Sequence, residues 1–192
     1  MSLFKNQTGQ RAGALSRRSY VRKGGMRMNV YCLFCETGKC SGIAKTAEDL
    51  FPCRAIAPKQ VQHRWSRGKP CDVIHDLLPG YVFLYFEDNR PEISRLRSLN
   101  GVIRCLSDTE GRCELGGSDE SFALSLLNCN GVIGKTQVYR EGDRIRICDG
   151  AFEGVAAEIV RVDRRRSRMM IRIPFANRDV QTWVEYEIIE PE

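Results

Sequence analysis

Between Leu77 and Phe86 the chain reads Leu-Leu-Pro-Gly-Tyr-Val-Phe-Leu-Tyr-Phe. Pro79-Gly80 divides this run into a turn and a strand with Tyr81, Phe83 and Tyr85 on one side. Val30 to Cys35 is a second run, apolar on both faces, and predicts a central strand. After Thr37-Gly38, Ile43, Ala44, Ala47, Leu50 and Phe51 recur at helical spacing until Pro52 stops the helix. Ile56 to Arg64 predicts a strand, Ser66 to Pro70 a turn, and Cys71 to His75 the returning strand. That hairpin carries Arg64, Arg67 and Lys69 around its tip. Asp88 or Asn89 then caps a helix with Pro91 in its first turn, continued by Ile93, Leu96 and Arg97. Gly101 ends it, and Val102 to Leu106 forms a further strand. Ser118-Asp119-Glu120 opens a last helix carrying Phe122, Leu124, Leu126 and Leu127. The pattern over 29–128 predicts an α+β sandwich, helices packed on an antiparallel sheet.

From Asn128 to Gln137 the composition turns to Asn, Gly and polar residues, which reads as a linker over 129–138. Beyond it, 139–192 holds only short strand patterns, at 144–147, 155–162, 169–173, 180–184 and 186–189. Five short strands in about fifty residues fit a small β-barrel of the SH3 kind. Its opening hairpin is expected within Gly142 to Gly154, where Asp149-Gly150 supplies the tight turn.

Charge changes this picture less than its total suggests. The formal net charge is +6, but residues 1–28 alone carry +7 with no Asp or Glu, leaving about −1 for the rest. The tail lacks apolar periodicity and is expected to be disordered. It reads either as a basic arm for an anionic partner or as the product of an upstream start codon, with Met26 or Met28 as the true first residue. No apolar run is long enough for a signal peptide or a membrane span, so a cytoplasmic protein is expected.

Nine cysteines are an odd number for a disulfide framework. Cys32, Cys35 and Cys40 are the best metal candidates. Three-residue spacing in a strand, however, sends Cys32 and Cys35 to opposite faces, so apolar packing of free thiols is expected and no metal or cofactor is implied. His63, Trp65 and His75 form no constellation at chemically useful spacing. Paired carboxylates, a nucleophile elbow and a phosphate-binding glycine loop are likewise missing from the sequence, which argues against an enzyme.

Two segments resemble known families. Gly142 to Arg172 resembles a KOW motif, and Val30 to Leu127 is similar to the N-terminal (NGN) domain of bacterial NusG-type transcription elongation factors. The second likeness rests on Val30-Tyr31-Cys32-Leu33-Phe34 with Thr37-Gly38-Lys39, on Arg67-Gly68-Lys69, and on Leu78-Pro79-Gly80-Tyr81-Val82-Phe83, where the family usually shows Phe-Pro-Gly-Tyr. Gly150-Ala151-Phe152-Glu153-Gly154 and Asp163-Arg164-Arg165-Arg166 resemble specialised paralogues of the RfaH and LoaP kind more than the housekeeping factor.

The resemblance implies a monomeric, non-enzymatic antitermination factor that rides on RNA polymerase and serves specific long operons. An apolar patch would bind the polymerase clamp region, and the matching positions are Phe34, Leu78, Tyr81 and Phe83. Each of these also fits a plain core position. Leu78 replaces the usual Phe and lessens the aromatic area. The helix 89–98 would touch the opposite side of the DNA channel through Glu92, Ser94 and Arg95. Non-template DNA is a further partner of such factors, but Glu36 in Glu36-Thr37-Gly38-Lys39 would repel phosphate.

In the second unit Arg161, Arg164, Arg165, Arg166, Arg168 and Arg172 crowd one turn, with Asp163 the single acid among them. Arginine forks bind phosphates bidentately and stack on unpaired bases, which suits a nascent RNA hairpin. A small-subunit ribosomal protein is the other partner implied for this unit. The competing class is a ribosome-associated or free RNA-binding KOW protein without polymerase function.

Overall fold

The computed structural model describes residues 27–66, 68–141, 144–148, 152, 155 and 157–189. Its first sheet takes β1 (Met28–Cys35), β2 (Cys53–Ile56), β5 (Tyr81–Glu87) and β6 (Val102–Cys105) in the order β2-β5-β1-β6, all antiparallel. β1 and β5 are central and buried on both faces, hence their unbroken apolar runs. Tyr31, Leu33 and Cys35 of β1 join Val82, Leu84 and Phe86 of β5 on the face covered by α1 (Cys40–Leu50) and α2 (Ile93–Arg97). Val30, Cys32, Phe83 and Tyr85 point the other way, toward α3 (Ser118–Asn128) and the C-terminal strands. Burying one such large apolar side chain stabilises the fold by about 1.5–3 kcal/mol. The α+β sandwich is as the pattern predicts, and Cys32 and Cys35 do lie in different cores.

A second sheet has the order β4-β3-β7, from β3 (Lys59–Ser66), β4 (Lys69–Asp76) and β7 (Val132–Ile133). The third is five-stranded, β10-β11-β12-β8-β9, from β8 (Thr136–Glu141), β9 (Arg144–Ile147), β10 (Glu158–Asp163), β11 (Arg168–Phe175) and β12 (Arg178–Ile188). Along β11, Met169, Ile171, Ile173 and Phe175 are buried while their neighbours are less so, the period-two pattern of a one-sided strand. Ala176 and Asn177, at φ of 50° and 61°, make the two-residue turn that joins β11 to β12.

Several boundaries differ from expectation. Pro58 cannot donate to a ladder, and the strand expected at 56–64 is divided into β2 and β3, which serve different sheets. The helix expected from Asn89 is only Ile93–Arg97, with Glu92 at its N-terminal boundary. Asp88 instead has φ of 53° and accepts a hydrogen bond from the Arg27 amide, so it turns the chain. The stretch read as a linker holds β7, parallel to β3, and the first residues of β8, parallel to β12. The segments 180–184 and 186–189 form one strand. β9 pairs with β8, and β9 and β10 lie at opposite edges of their sheet, so they do not form the expected opening hairpin. Gly142, Asp143, Asp149 to Ala151, Glu153, Gly154, Arg67 and the tail through Met26 lie outside the described residues.

Candidate functional site

Phe34, near the end of β1, meets Tyr81, the first residue of β5, edge-on with ring centroids 5.4 Å apart. The turn before Tyr81 sets this contact. Gly80 has φ of 90°, its carbonyl accepts from the Cys35 amide at 2.7 Å, and a Cβ there would lie 3.2 Å from both the Cys35 carbonyl oxygen and the Phe34 ring. Glycine is therefore required by both conformation and space. The Arg104 guanidinium lies 5.4 Å from the Phe34 ring centroid, a cation–π contact on the sheet surface.

The remaining members of the expected patch are inside. Leu78 and Phe83 are 2% and 0% exposed, whereas Phe34 and Tyr81 are half-buried. The covering group is Phe175 at the tip of the β11–β12 hairpin, 6.1 Å from Tyr81, 5.4 Å from Phe83 and 5.8 Å from Phe122. Phe152 stacks on Phe122 at 6.2 Å and 21°. Polar contacts hold the same hairpin: Ala176 donates its amide to Asp119 Oδ2 at 3.0 Å, and Thr182 donates its hydroxyl to the Leu77 carbonyl at 2.7 Å. Burial raises the Asp119 pKa against the opposing pull of that amide, and burial likewise raises the Tyr81 phenol, with the Cys32 thiol a lesser cause.

Glu92 and Arg95 are exposed on α2. Both have partners within the chain: Glu92 Oε1 accepts from the Ser94 hydroxyl at 2.5 Å, and the Arg95 guanidinium lies 5.1 Å from the Phe51 ring centroid.

The arginine cluster divides in two. Arg164, Arg165 and Arg166 form a short 3₁₀ turn, all exposed, closed by Ser167 at φ of 48°. The Asp163 carboxylate accepts from the Arg166 backbone amide, so it caps the turn. Arg161 and Arg168 lie on the strands either side, where Arg168 rests 5.8 Å from the Trp183 ring centroid. Arg172 pairs with Glu158 at 2.5 Å.

The turn lines a cleft of about 710 Å³ together with His63, Lys135, Ser167, Glu185 and Ile188. His63 comes from β3 and Glu185 from β12, and they meet across the cleft: the His63 amide and Nδ1 both lie 3.2 Å from Glu185 Oε2. Lys135 stands between β7 and β8, where the chain passes from the second sheet to the third. Phe175, Asp119, Thr182, Lys135 and the His63–Glu185 pair were not legible as site residues, because each takes its meaning from a partner far along the chain.

Fold and site together define an α+β protein with an aromatic patch beneath its C-terminal hairpin and an arginine-lined cleft. No protein family's sequence profile matches the chain, and no curated protein does. Among solved structures it is similar to one described as domain interaction in Thermotoga maritima NusG, at 19% identity over 83% of this chain and 94% of that one, with a TM-score of 0.49.

Proposed function

We propose that this chain is a NusG-type regulator of transcription elongation. It binds the clamp region of RNA polymerase through the Phe34–Tyr81 face and promotes processive antitermination on specific long operons. The observation that carries the reading is the meeting of two separated motif segments: Phe34 of the first strand and Leu78-Pro79-Gly80-Tyr81 of the fifth build one aromatic patch. A rigid sheet bearing clustered aromatic side chains has the anatomy of an interface hot spot. Because Phe175 covers that patch, polymerase binding requires the β11–β12 hairpin to move away. Leu78 and Phe83 then join Phe34 and Tyr81 on the exposed surface, while Glu92 and Arg95 meet the other side of the channel.

The second unit contacts RNA through Arg161, Arg164, Arg165, Arg166 and Arg168. All three turn arginines are exposed, and exposed guanidinium forks suit phosphate. The test is transcription in vitro across an intrinsic terminator with and without the chain. Greater read-through supports the proposal. Unchanged read-through together with retained RNA binding would favour a free or ribosome-associated RNA-binding protein.

A further inference from the structure

β6 and the segment leading to α3 run along the same edge of β1. Cys105, the last residue of β6, pairs with Leu33, and the Leu106 amide donates to the Cys32 carbonyl. The chain then leaves the sheet and returns at Glu114, which bridges Tyr31, with the Leu115 amide on the Val30 carbonyl. Residues 107–113 are thus inserted at a single step of the ladder, which brings Cys105 and Cys113 together at the base of the loop. Asp108 closes the loop, accepting from the Glu110 and Arg112 amides at 2.9 Å each and from Arg112 Nε at 2.8 Å. Both cysteines are free, both side chains lie in the core under α1 and α2, and the two thiols are in hydrogen-bond contact. Arg97, exposed at the end of α2, donates to Cys113 Sγ at 3.8 Å.

We propose that Cys105 and Cys113 are a redox-sensitive dithiol, which hydrogen peroxide oxidises to a disulfide across the base of the 106–112 loop. Cys113 reacts first. It is the more exposed of the two, at 8% against 3%, and it carries the guanidinium, whose charge favours the thiolate that attacks peroxide. Its sulfur takes one oxygen as the O–O bond breaks, the other oxygen leaves as water, and Cys113 becomes a sulfenic acid. Burial, and then the nearby Cys113 sulfur, raise the Cys105 pKa, so Cys105 keeps its proton and serves as the resolving thiol. Its sulfur attacks Cys113 Sγ; the S–S bond forms as the S–O bond breaks, and the hydroxyl departs as water with the Cys105 proton. Two electrons pass from the sulfurs to the peroxide, and a dithiol reductant returns the pair to its starting state.

The test treats the folded full chain with hydrogen peroxide, alkylates the remaining thiols in denaturant, and maps tryptic peptides by mass spectrometry. Cleavage after Arg104, Arg112 and Lys135 puts Cys105 on peptide 105–112 and Cys113 on peptide 113–135, which also holds Cys129. The expected result is these two peptides linked, with fragmentation placing the bond on Cys113, and the link lost on reduction. Cys113→Ser should abolish the link, and Arg97→Gln should slow its formation several-fold. A wild type whose nine cysteines all remain open to alkylation would overturn the proposal. So would Cys113 advancing to sulfinic acid with no link, or a bond placed on Cys129. Should Cys113→Ser fail to fold, the wild-type map decides alone.

Discussion

The Phe175 ring lies 5.4 Å from the Phe83 ring, tilted at 54°, and so joins the tip of the C-terminal hairpin to the core of the first sheet. These two residues stand on strands of different sheets, β11 and β5, yet share one continuous apolar cluster with Phe122 and Phe152. The contact keeps the apolar face of Tyr81 and Phe83 covered by the C-terminal hairpin.

Removing the Phe175 ring leaves a cavity bordered by Tyr81, Phe83 and Phe122. Phe175→Ala is expected to cost about 3–5 kcal/mol. Chemical denaturation gives the value. A loss below about 1 kcal/mol, the scale of a volume-conserving swap, would mean that the hairpin does not depend on this ring.

Asp119 makes the same docking sensitive to pH. Its carboxyl pKa is raised by burial, so between its ordinary value and the raised one the native state holds more protons than the unfolded state. Stability from this group therefore falls as pH rises through the raised pKa and is greatest below that window. Asp119→Asn keeps an oxygen to accept the Ala176 amide and removes the titration. Thermal unfolding from acid to neutral pH should show a smaller decline for the variant, the contribution of Glu120 remaining in both proteins. Equal declines would exclude Asp119 as a source.

Gly80 is tested against a glycine in open space. A Cβ at Gly80 meets Phe34 and the Cys35 carbonyl, whereas one at Gly38, with nearly the same φ of 88°, meets nothing within 4 Å. The left-handed backbone costs each alanine variant about 1–2 kcal/mol. Gly80→Ala should cost more than Gly38→Ala and, unlike it, should weaken polymerase binding by displacing Phe34. Matching effects from the two would remove the steric argument.

The thiols are expected to be quiet. Burial pushes Cys35 and Cys105 up to about 12 and Cys53 to about 11, so few thiolates form there at neutral pH. Cys32 and Cys35, in different cores, cannot chelate one ion. Alkylation at about pH 8 should leave these four unmodified in the native protein. Zinc added to the native protein should not protect them further, and stoichiometric zinc on Cys32, Cys35 and Cys40 would contradict the packing.

Much of the first sheet was legible because its strands carry strong local signals. Val30 to Cys35 and Tyr81 to Phe86 are apolar on both faces, and only a central strand buries such a run. The α1 stripe ends at Phe51, just before Pro52, and the Ser118 helix starts where its acidic first turn indicates. What escaped detection depends on distant pairing. β7 has two residues and no periodicity of its own, and it exists because Lys59 and Gln60 offer it an edge. Phe175 reads as one more apolar residue in an alternating strand, and nothing local says that it covers a patch nearly a hundred residues earlier. The arginine turn was visible as charge, but that Lys135 lines the same cleft was not, since a lone lysine after Gly134 carries no pattern.

The central claim is that the Phe34–Tyr81 face binds RNA polymerase, and the direct measurement is the affinity of the full chain for bacterial core polymerase. Phe34→Ala/Tyr81→Ala is the informative variant, because both side chains are half-buried at the sheet surface while Leu78 and Phe83 are core. The wild type is expected to bind, and the double variant, shown folded by its unfolding transition, to bind at least tenfold more weakly, about 1.4 kcal/mol. Equal affinity of the two proteins would contradict the assignment of this face to polymerase.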